Sequence, residues 1–421
     1  MKKILIFISL ICMQLNAQIQ IGSTTLEERE VVNGLDVPWE IKWGPDNFLW
    51  VTERSGIVSR VDVQTGEKYV ILDIQNVVST ESESGLLGME FHPDFDNNGI
   101  LFLVYTYYQG FNIEERIVAY TYNSSLDDLE NEQILLDNIS GYSTHVGSRI
   151  HTLDDYTMLI STGDAQDQSA SQDQSALTGK ILRMDISADN FGGVPSDNPI
   201  ENSYTWSWGH RNSQGIEVAP NGIIYSSEHG PQNDDELNIL VPNRNYGWPN
   251  VNGFCDGFSE QQFCEQYDVV EPLIAWTPTI APSDIIWYSH PAIPEFQNTL
   301  LMTVLKDKML VRFEFSDDGT QLINDTEFFN YEWGRLRDIC VSPDGKIYLA
   351  TNGNNWPSQG PNEIIELSNP NFDNTNITED LFPDQLLYSI DMLGREINNT
   401  NDGFVIDVYN TGRKIKKYLV H

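Results

Sequence analysis

The sequence predicts an all-β chain folded as a six-bladed β-propeller, followed by a small C-terminal β-sandwich-like piece. Three observations carry this. A turn signal followed by an apolar run recurs six times between residues 33 and 368, at 45–52, 96–104, 154–163, 220–227, 297–304 and 343–351. A second strand-like run follows most of these, at Ile57–Val63, Ile117–Tyr122, Lys180–Ile186, Met309–Phe315 and Glu363–Leu367. Between them there is almost no helical periodicity. Short sheets repeated around an axis bury their faces against one another, which is the propeller solution; a two-sheet sandwich needs less chain. The spacing is uneven, with extra residues around 165–205 and 230–285, and such inserts become functional loops.

The ends of the chain read differently. Residues 1–17 hold Lys2 and Lys3, an apolar run from Ile4 to Met13 and a small residue at Ala17, the pattern of a secretory signal peptide. That run is too short for a membrane span. Residues 18–368 form the propeller body and 369–380 a polar linker. Residues 381–421 hold short alternating runs with five basic and five acidic side chains. The whole chain carries 24 Lys+Arg against 62 Asp+Glu, a net −38, so nucleic acid and anionic membranes are excluded as partners on charge. Cys255 and Cys264, inside a stretch (248–272) that reads as a loop, are placed to form a disulfide in an oxidising compartment, and Cys340 reads as a buried thiol.

The unusual polar residues sit just after the first run of each unit or within the inserts. They are Ser143-Thr-His145-Val-Gly-Ser-Arg149, Gly163-Asp164, Gly209-His-Arg211-Asn212-Ser-Gln-Gly215 and Glu228-His-Gly230-Pro231-Gln-Asn-Asp-Asp-Glu236. Asn245-Tyr246-Gly-Trp248, Lys306 and Gly334-Arg335-Leu-Arg337-Asp338 complete the set. Singly, each has a structural reading: a histidine in a core, an arginine paired with a carboxylate, a Gly-Pro turn. Together they fall on equivalent connections of successive blades, which converge at one mouth. A His, an Asp, three Arg and a Lys there make a basic pocket in an acidic protein. The forked guanidinium suits a ligand with several carboxylates.

These segments resemble, in order and over residues 33–368, the soluble quinoprotein glucose dehydrogenase and aldose sugar dehydrogenase family. The resemblance implies that His145 is a general base oriented by Asp164, that Arg211 lies over a quinone, and that Asn212, Lys306, Arg335 and Arg337 bind it. It implies pyrroloquinoline quinone and calcium as cofactors. The carbonyls of Gly230 and Pro231 would hold one calcium, and a second would lie near Glu236 and Tyr246. The expected activity is oxidation of an aldose at its anomeric hydroxyl to the lactone, with electrons passed on to an unidentified acceptor. Two departures stand out: Val146 where the family commonly has a glycine, and His229 where its best-known glucose enzyme has a glutamine. The tail, through Asp391-Met-Leu-Gly-Arg and the closing Gly412-Arg-Lys-Ile-Lys-Lys-Tyr-Leu-Val, resembles the sorting domain of the type IX secretion system. This implies export machinery as a partner and a secreted or cell-surface location. A calcium-dependent propeller lactonase and a non-catalytic binding propeller remain as alternatives of other classes.

Overall fold

The computed structural model describes residues 18–357, 360, 362–373, 386–391, 403–409 and 414–419. The residues read as a signal peptide lie outside these, as does most of the linker and Met392–Arg395 of the tail motif. Along the body, apolar runs pair into antiparallel sheets, each a meander of four strands. The first contains Pro38–Trp43, Phe48–Glu53, Ile57–Asp62 and Lys68–Asp73 in that order. The next four sheets begin with Leu86–Phe91, Ile150–Thr152, Ser213–Val218 and Pro282–Tyr288. The sixth begins with Leu336–Val341 and takes its fourth strand from the front of the chain. There Thr24–Asn33 pairs antiparallel with Glu363–Ser368, Glu27 opposite Ser368 and Asn33 opposite Glu363. A further short strand, Gln18–Ile21, pairs beyond it. The first strands pack against one another from blade to blade, and Leu336–Val341 packs against Pro38–Trp43, so the ring is closed.

The recurrent runs of the sequence are the second strands, and their followers the third. Because strands alternate in direction, the connections from second to third strand open on the same face as those from one blade's fourth strand to the next blade's first. Every polar segment singled out above, apart from the stretch around Tyr246, lies in or at the edge of one of these connections. The stretch 248–272 departs from its reading as a loop. Phe258–Tyr267 is an α-helix, started by Glu260, whose carboxylate accepts the Gly257 N–H at 2.8 Å, and tied by a Cys255–Cys264 disulfide. A run of Glu and Gln residues free of glycine and proline favours helix, and it is too short and too polar to show a clear apolar period. Cys340 is buried and free. In the tail unit, Leu386–Asp391, Gly403–Tyr409 and Lys414–Leu419 form an antiparallel three-stranded sheet.

Apolar side chains interdigitate between neighbouring blades. Between the first and second, Trp50 is fully buried, with the rings of Phe91, Phe95 and Tyr122 edge-on at centroid distances of 5.3, 5.6 and 4.9 Å. Trp50→Ala leaves a cavity between two blades and is expected to cost about 3–5 kcal/mol, read from the denaturant midpoint at unchanged slope. A second expectation concerns pH. Glu115 is buried, and burial pushes its carboxyl up to about 8 against a hydrogen bond from the Ser148 hydroxyl. The folded protein therefore keeps a proton that the unfolded chain releases above about 4.5. Stability from this group falls as pH rises from about 4.5 to about 8, and Glu115→Gln should flatten that decline in unfolding curves across the interval.

Candidate active site

The site is built on two chain segments whose backbones touch. His145 has φ 56° and Gly147 φ 65°, so the connection into the third blade turns sharply there. The opposing segment carries Gly163, where a Cβ would stand 1.9 Å from the His145 carbonyl oxygen. Glycine is required at 163 for this approach, and the approach delivers Asp164 to His145. Asp164 Oδ1 lies 2.8 Å from His145 Nδ1, and Asp164 Oδ2 accepts the Trp248 indole N–H at 2.9 Å. Burial works to raise the Asp164 carboxyl, but the His145 ring, the Gln166 N–H and Trp248 together hold it below the ordinary range. An ionised carboxylate only accepts, so Nδ1 carries the hydrogen. On the other side, Arg211 Nη2 lies 3.0 Å from His145 Nε2. A guanidinium only donates, so Nε2 presents a lone pair. The two contacts together set the tautomer of a general base.

Arg211 is itself held. Its Nη1 donates to the His229 carbonyl at 3.0 Å, its backbone N–H to Glu228, and its guanidinium lies 5.3 Å from the Trp248 ring. Beside this pair opens a cavity of about 470 Å³, in the range of small-ligand sites. Val146 and Gly147 line it, together with Asn212, Pro231, Lys306, Arg335 and Arg337. The Asn212 side-chain Oδ1 accepts the Gly147 N–H at 3.1 Å. Arg337 Nη1 donates to Gln214 at 2.8 Å, and burial, with Arg335 and Arg149 close by, pulls its guanidinium down to about 9. Arg335 is shifted down by burial, and its Nε is buried with no hydrogen-bond partner among the described residues. Lys306 donates to the Thr279 hydroxyl at 2.9 Å. Among the described residues Arg211, Lys306, Arg335 and Arg337 form no ion pair, whereas the buried Arg149 is matched by Glu40 and Asp338. Among the described residues only Glu83 brings a carboxylate to the cavity wall. A cavity so lined fits a planar anion with several carboxylates, since Arg337 is buried, Arg335 half-buried, and neither they nor the exposed Lys306 has a carboxylate partner among the described residues.

The metal residues divide. Pro231 lies on the cavity wall, and the carbonyls of Gly230 and Pro231 accept no hydrogen bond among the described residues. Oxygen donors of that kind suit a hard cation. Glu236 and Tyr246 line a separate hollow of about 10 Å³ together with Glu228, Asp234 and Gly230. The Tyr246 hydroxyl is engaged with Ile239 and Val241, so only its carbonyl could serve a metal. A volume near that of one water and several carboxylate walls fit an ion there. No group of three or more His, Cys, Asp and Glu side chains among the described residues is arranged to hold a metal, so carbonyls would have to complete both sites.

Among the lining residues that escaped the sequence reading as ligand contacts are Trp39, Glu83, Gln214 and Trp356. Glu83 and Trp356 lie in the same class of connection as His145 and Asp164, so the positional rule that found those would have found them. Trp39 and Gln214 lie on first strands, which carry no turn signal. His229 is a lining residue too; its Nε2 lies 2.6 Å from the Pro282 carbonyl and burial pulls it down to about 4, so it is neutral at pH 7.

The family described as glucose/sorbosone dehydrogenase matches residues 35–357. Quinoprotein glucose dehydrogenase B of Acinetobacter calcoaceticus is 28% identical over 415 residues, covering 78% of this chain and 86% of its own. The aldose sugar dehydrogenase of Escherichia coli is 26% identical, with 82% and 94% covered. The PQQ-bound aldose sugar dehydrogenase of Streptomyces coelicolor superposes with a TM-score of 0.69 at 30% identity, over 82% of this chain and 98% of that one.

The unmatched cations give a test that needs no substrate. Arg335→Met removes a half-buried charge with no carboxylate partner among the described residues, and should stabilise the ligand-free protein by about 1 kcal/mol in thermal unfolding.

Proposed function

The chain belongs to the glucose/sorbosone dehydrogenase family, and on that footing we propose that it is an exported, calcium- and pyrroloquinoline-quinone-dependent dehydrogenase that oxidises aldoses at the anomeric hydroxyl to lactones. One observation carries the reading: a base with a fixed tautomer, His145, stands beside a cavity whose cations have no carboxylates of their own.

Asn212, Lys306, Arg335 and Arg337 would hold the quinone through its carboxylates, and the Gly230 and Pro231 carbonyls would hold calcium against it. When bound, the quinone is the two-electron acceptor for hydride from the anomeric carbon, and calcium the Lewis acid that polarises it. The rest is done by the chain. His145 Nε2 takes the proton from the sugar hydroxyl. The charge gained by the ring is stabilised by the Asp164 carboxylate, which Trp248 and the Gln166 N–H keep ionised and aligned. Arg211, now on His145 Nε2, is the donor placed to turn towards negative charge developing at the reacting centre.

Residues 1–17 support export as a cleaved signal, and the resemblance of 381–421 to a sorting domain supports delivery to the cell surface or beyond by type IX machinery.

Dye-linked sugar oxidation by the purified protein with calcium, with and without pyrroloquinoline quinone, tests the reading; activity should need the quinone. His145→Ala should lower kcat by about 10²–10⁴-fold while quinone titration remains unchanged. Lactone hydrolysis without quinone, and no sugar oxidation with it, would instead identify a hydrolase.

A further inference from the structure

Trp248 reaches Asp164 by a long route. It lies in the connection between the third and fourth strands of the fourth blade, Asp235–Leu240 and Ile274–Trp276, which leaves the sheet on the face away from His145. The chain then climbs back beside the last strand of the third blade, Thr205–Trp208, where Asn245 bridges to Trp208. At the top the Trp248 backbone N–H donates to the Gly209 carbonyl at 3.0 Å, and the indole arrives at Asp164 Oδ2. A returning segment of irregular backbone has no ladder of its own and needs other partners to stay there.

The insert of the third blade supplies them. Between Asp164 and Lys180 the chain makes a short helical turn, Gln168–Gln172. The Gln172 side chain pairs reciprocally with Asn245: Nε2 donates to Asn245 Oδ1 at 3.0 Å, and Oε1 accepts from Asn245 Nδ2 at 2.9 Å. Gln172 Nε2 also donates to the Trp248 carbonyl at 2.7 Å. The turn is anchored by Lys180, a fully buried cation with no carboxylate partner among the described residues. Its ammonium donates to the carbonyls of Ala170 and Thr178, each at 2.7 Å, and of Ser171 at 3.2 Å. Ser171 ties the turn to the segment before Arg211. Its hydroxyl donates to the His210 carbonyl at 2.8 Å, and its carbonyl accepts the Gly209 N–H at 2.9 Å. The packing is close enough to require glycine there: a Cβ at 209 would stand 2.2 Å from Asn245 Oδ1 and 2.9 Å from Gln172 Nε2.

We infer that Gln172 is a positioning residue for the base: through Asn245 and Trp248 it keeps the Asp164 carboxylate aligned on His145, from a turn that Lys180 holds in place. The inference rests on the reading of His145 as the base of a sugar oxidation. Asp164 Oδ1 is held by the Gln166 N–H of its own loop at 2.9 Å, whereas Oδ2 is held by the indole that Gln172 supports. A carboxylate pinned at one oxygen swings, and the imidazole it orients swings with it. Gln172 and Lys180 do not line the cavity beside His145, so their effect on turnover passes through the carboxylate and not through a bound ligand.

Steady-state kinetics of the full chain with quinone and calcium, and proton NMR of the same chain without them, test this. Gln172→Ala should lower kcat about tenfold, with KM for the sugar and quinone affinity unchanged. Gln172→Glu keeps the shape but, when ionised, turns an acceptor towards Asn245 Oδ1 and the Trp248 carbonyl, and should lose at least as much at neutral pH. Gln172 is half-buried in an insert outside the sheets, so the fold is retained. In the NMR spectrum the His145 Nδ1 proton, assigned by its absence from His145→Ala, should exchange with water about tenfold faster in both variants. Unchanged exchange, or faster exchange with kcat unchanged, overturns the inference. So does a fall of kcat and quinone affinity together, which would mark Gln172 as a contact of the fold alone. Faster exchange in a protein that oxidises no sugar once quinone and calcium are supplied supports the positioning of Asp164 and overturns only the catalytic reading.

Discussion

Arg149 is fully buried at the axis of the ring, and its guanidinium joins blades that meet nowhere else in sequence. It pairs with Glu40 of the first blade and with Asp338 of the sixth at 3.0 Å, reaches Asp284 of the fifth at 3.4 Å, and donates to the Gln214 carbonyl of the fourth at 2.8 Å. It enters from the third, four residues after His145, and lies over the Trp39 ring at 4.5 Å. Burying one cation among three carboxylates is tolerable only where its donors meet partners, and while Arg149 Nη2 has none among the described residues, the contacts of Nε and Nη1 tie the inner strands together. The active-site loops hang from those strands. The same Trp39 ring lies 5.6 Å from Arg337, so the hub that sets the ring also forms the floor of the cavity.

This explains what was legible in the sequence. The six second strands announce themselves because a turn signal precedes a fully buried run, and the polar residues after them are conspicuous because strands elsewhere are apolar. The same contrast hides the inner strands: Pro38–Trp43 and Leu336–Val341 mix Glu40, Lys42, Arg337 and Asp338 into their apolar text, since one side of each faces the charged axis. Arg149 is an example of a residue found for a different reason from the one that makes it necessary. The H-x-G-x-R pattern places it beside the base, but it serves the ring. Thr24–Asn33 gives no hint in its own sequence that its partner lies at 363–368, because ladder pairing at that separation leaves no local mark.

The electrostatic plan is a division of labour. The surface is acidic, the axis is balanced by tight ion pairs, and one mouth keeps several cations without counter-ions. Only a rigid frame can hold Arg335 and Arg337 so close, since each side chain left to itself would turn away towards solvent or a carboxylate. The Gln214 hydrogen bond and the Trp39 and Trp356 rings keep them in place, and Glu83 tempers the field without entering a salt bridge.

Closure of the ring through Thr24–Asn33 has a consequence for biosynthesis. Until residue 368 has left the ribosome, the sixth sheet does not exist and the front strand has no edge to join. For nearly the whole of translation the chain consists of up to five blades with a bare ladder at one end and an unattached extended segment at the other. Both are templates for pairing with other chains. A molecule of this design depends on being kept unfolded, or kept apart from its copies, until its last blade is made.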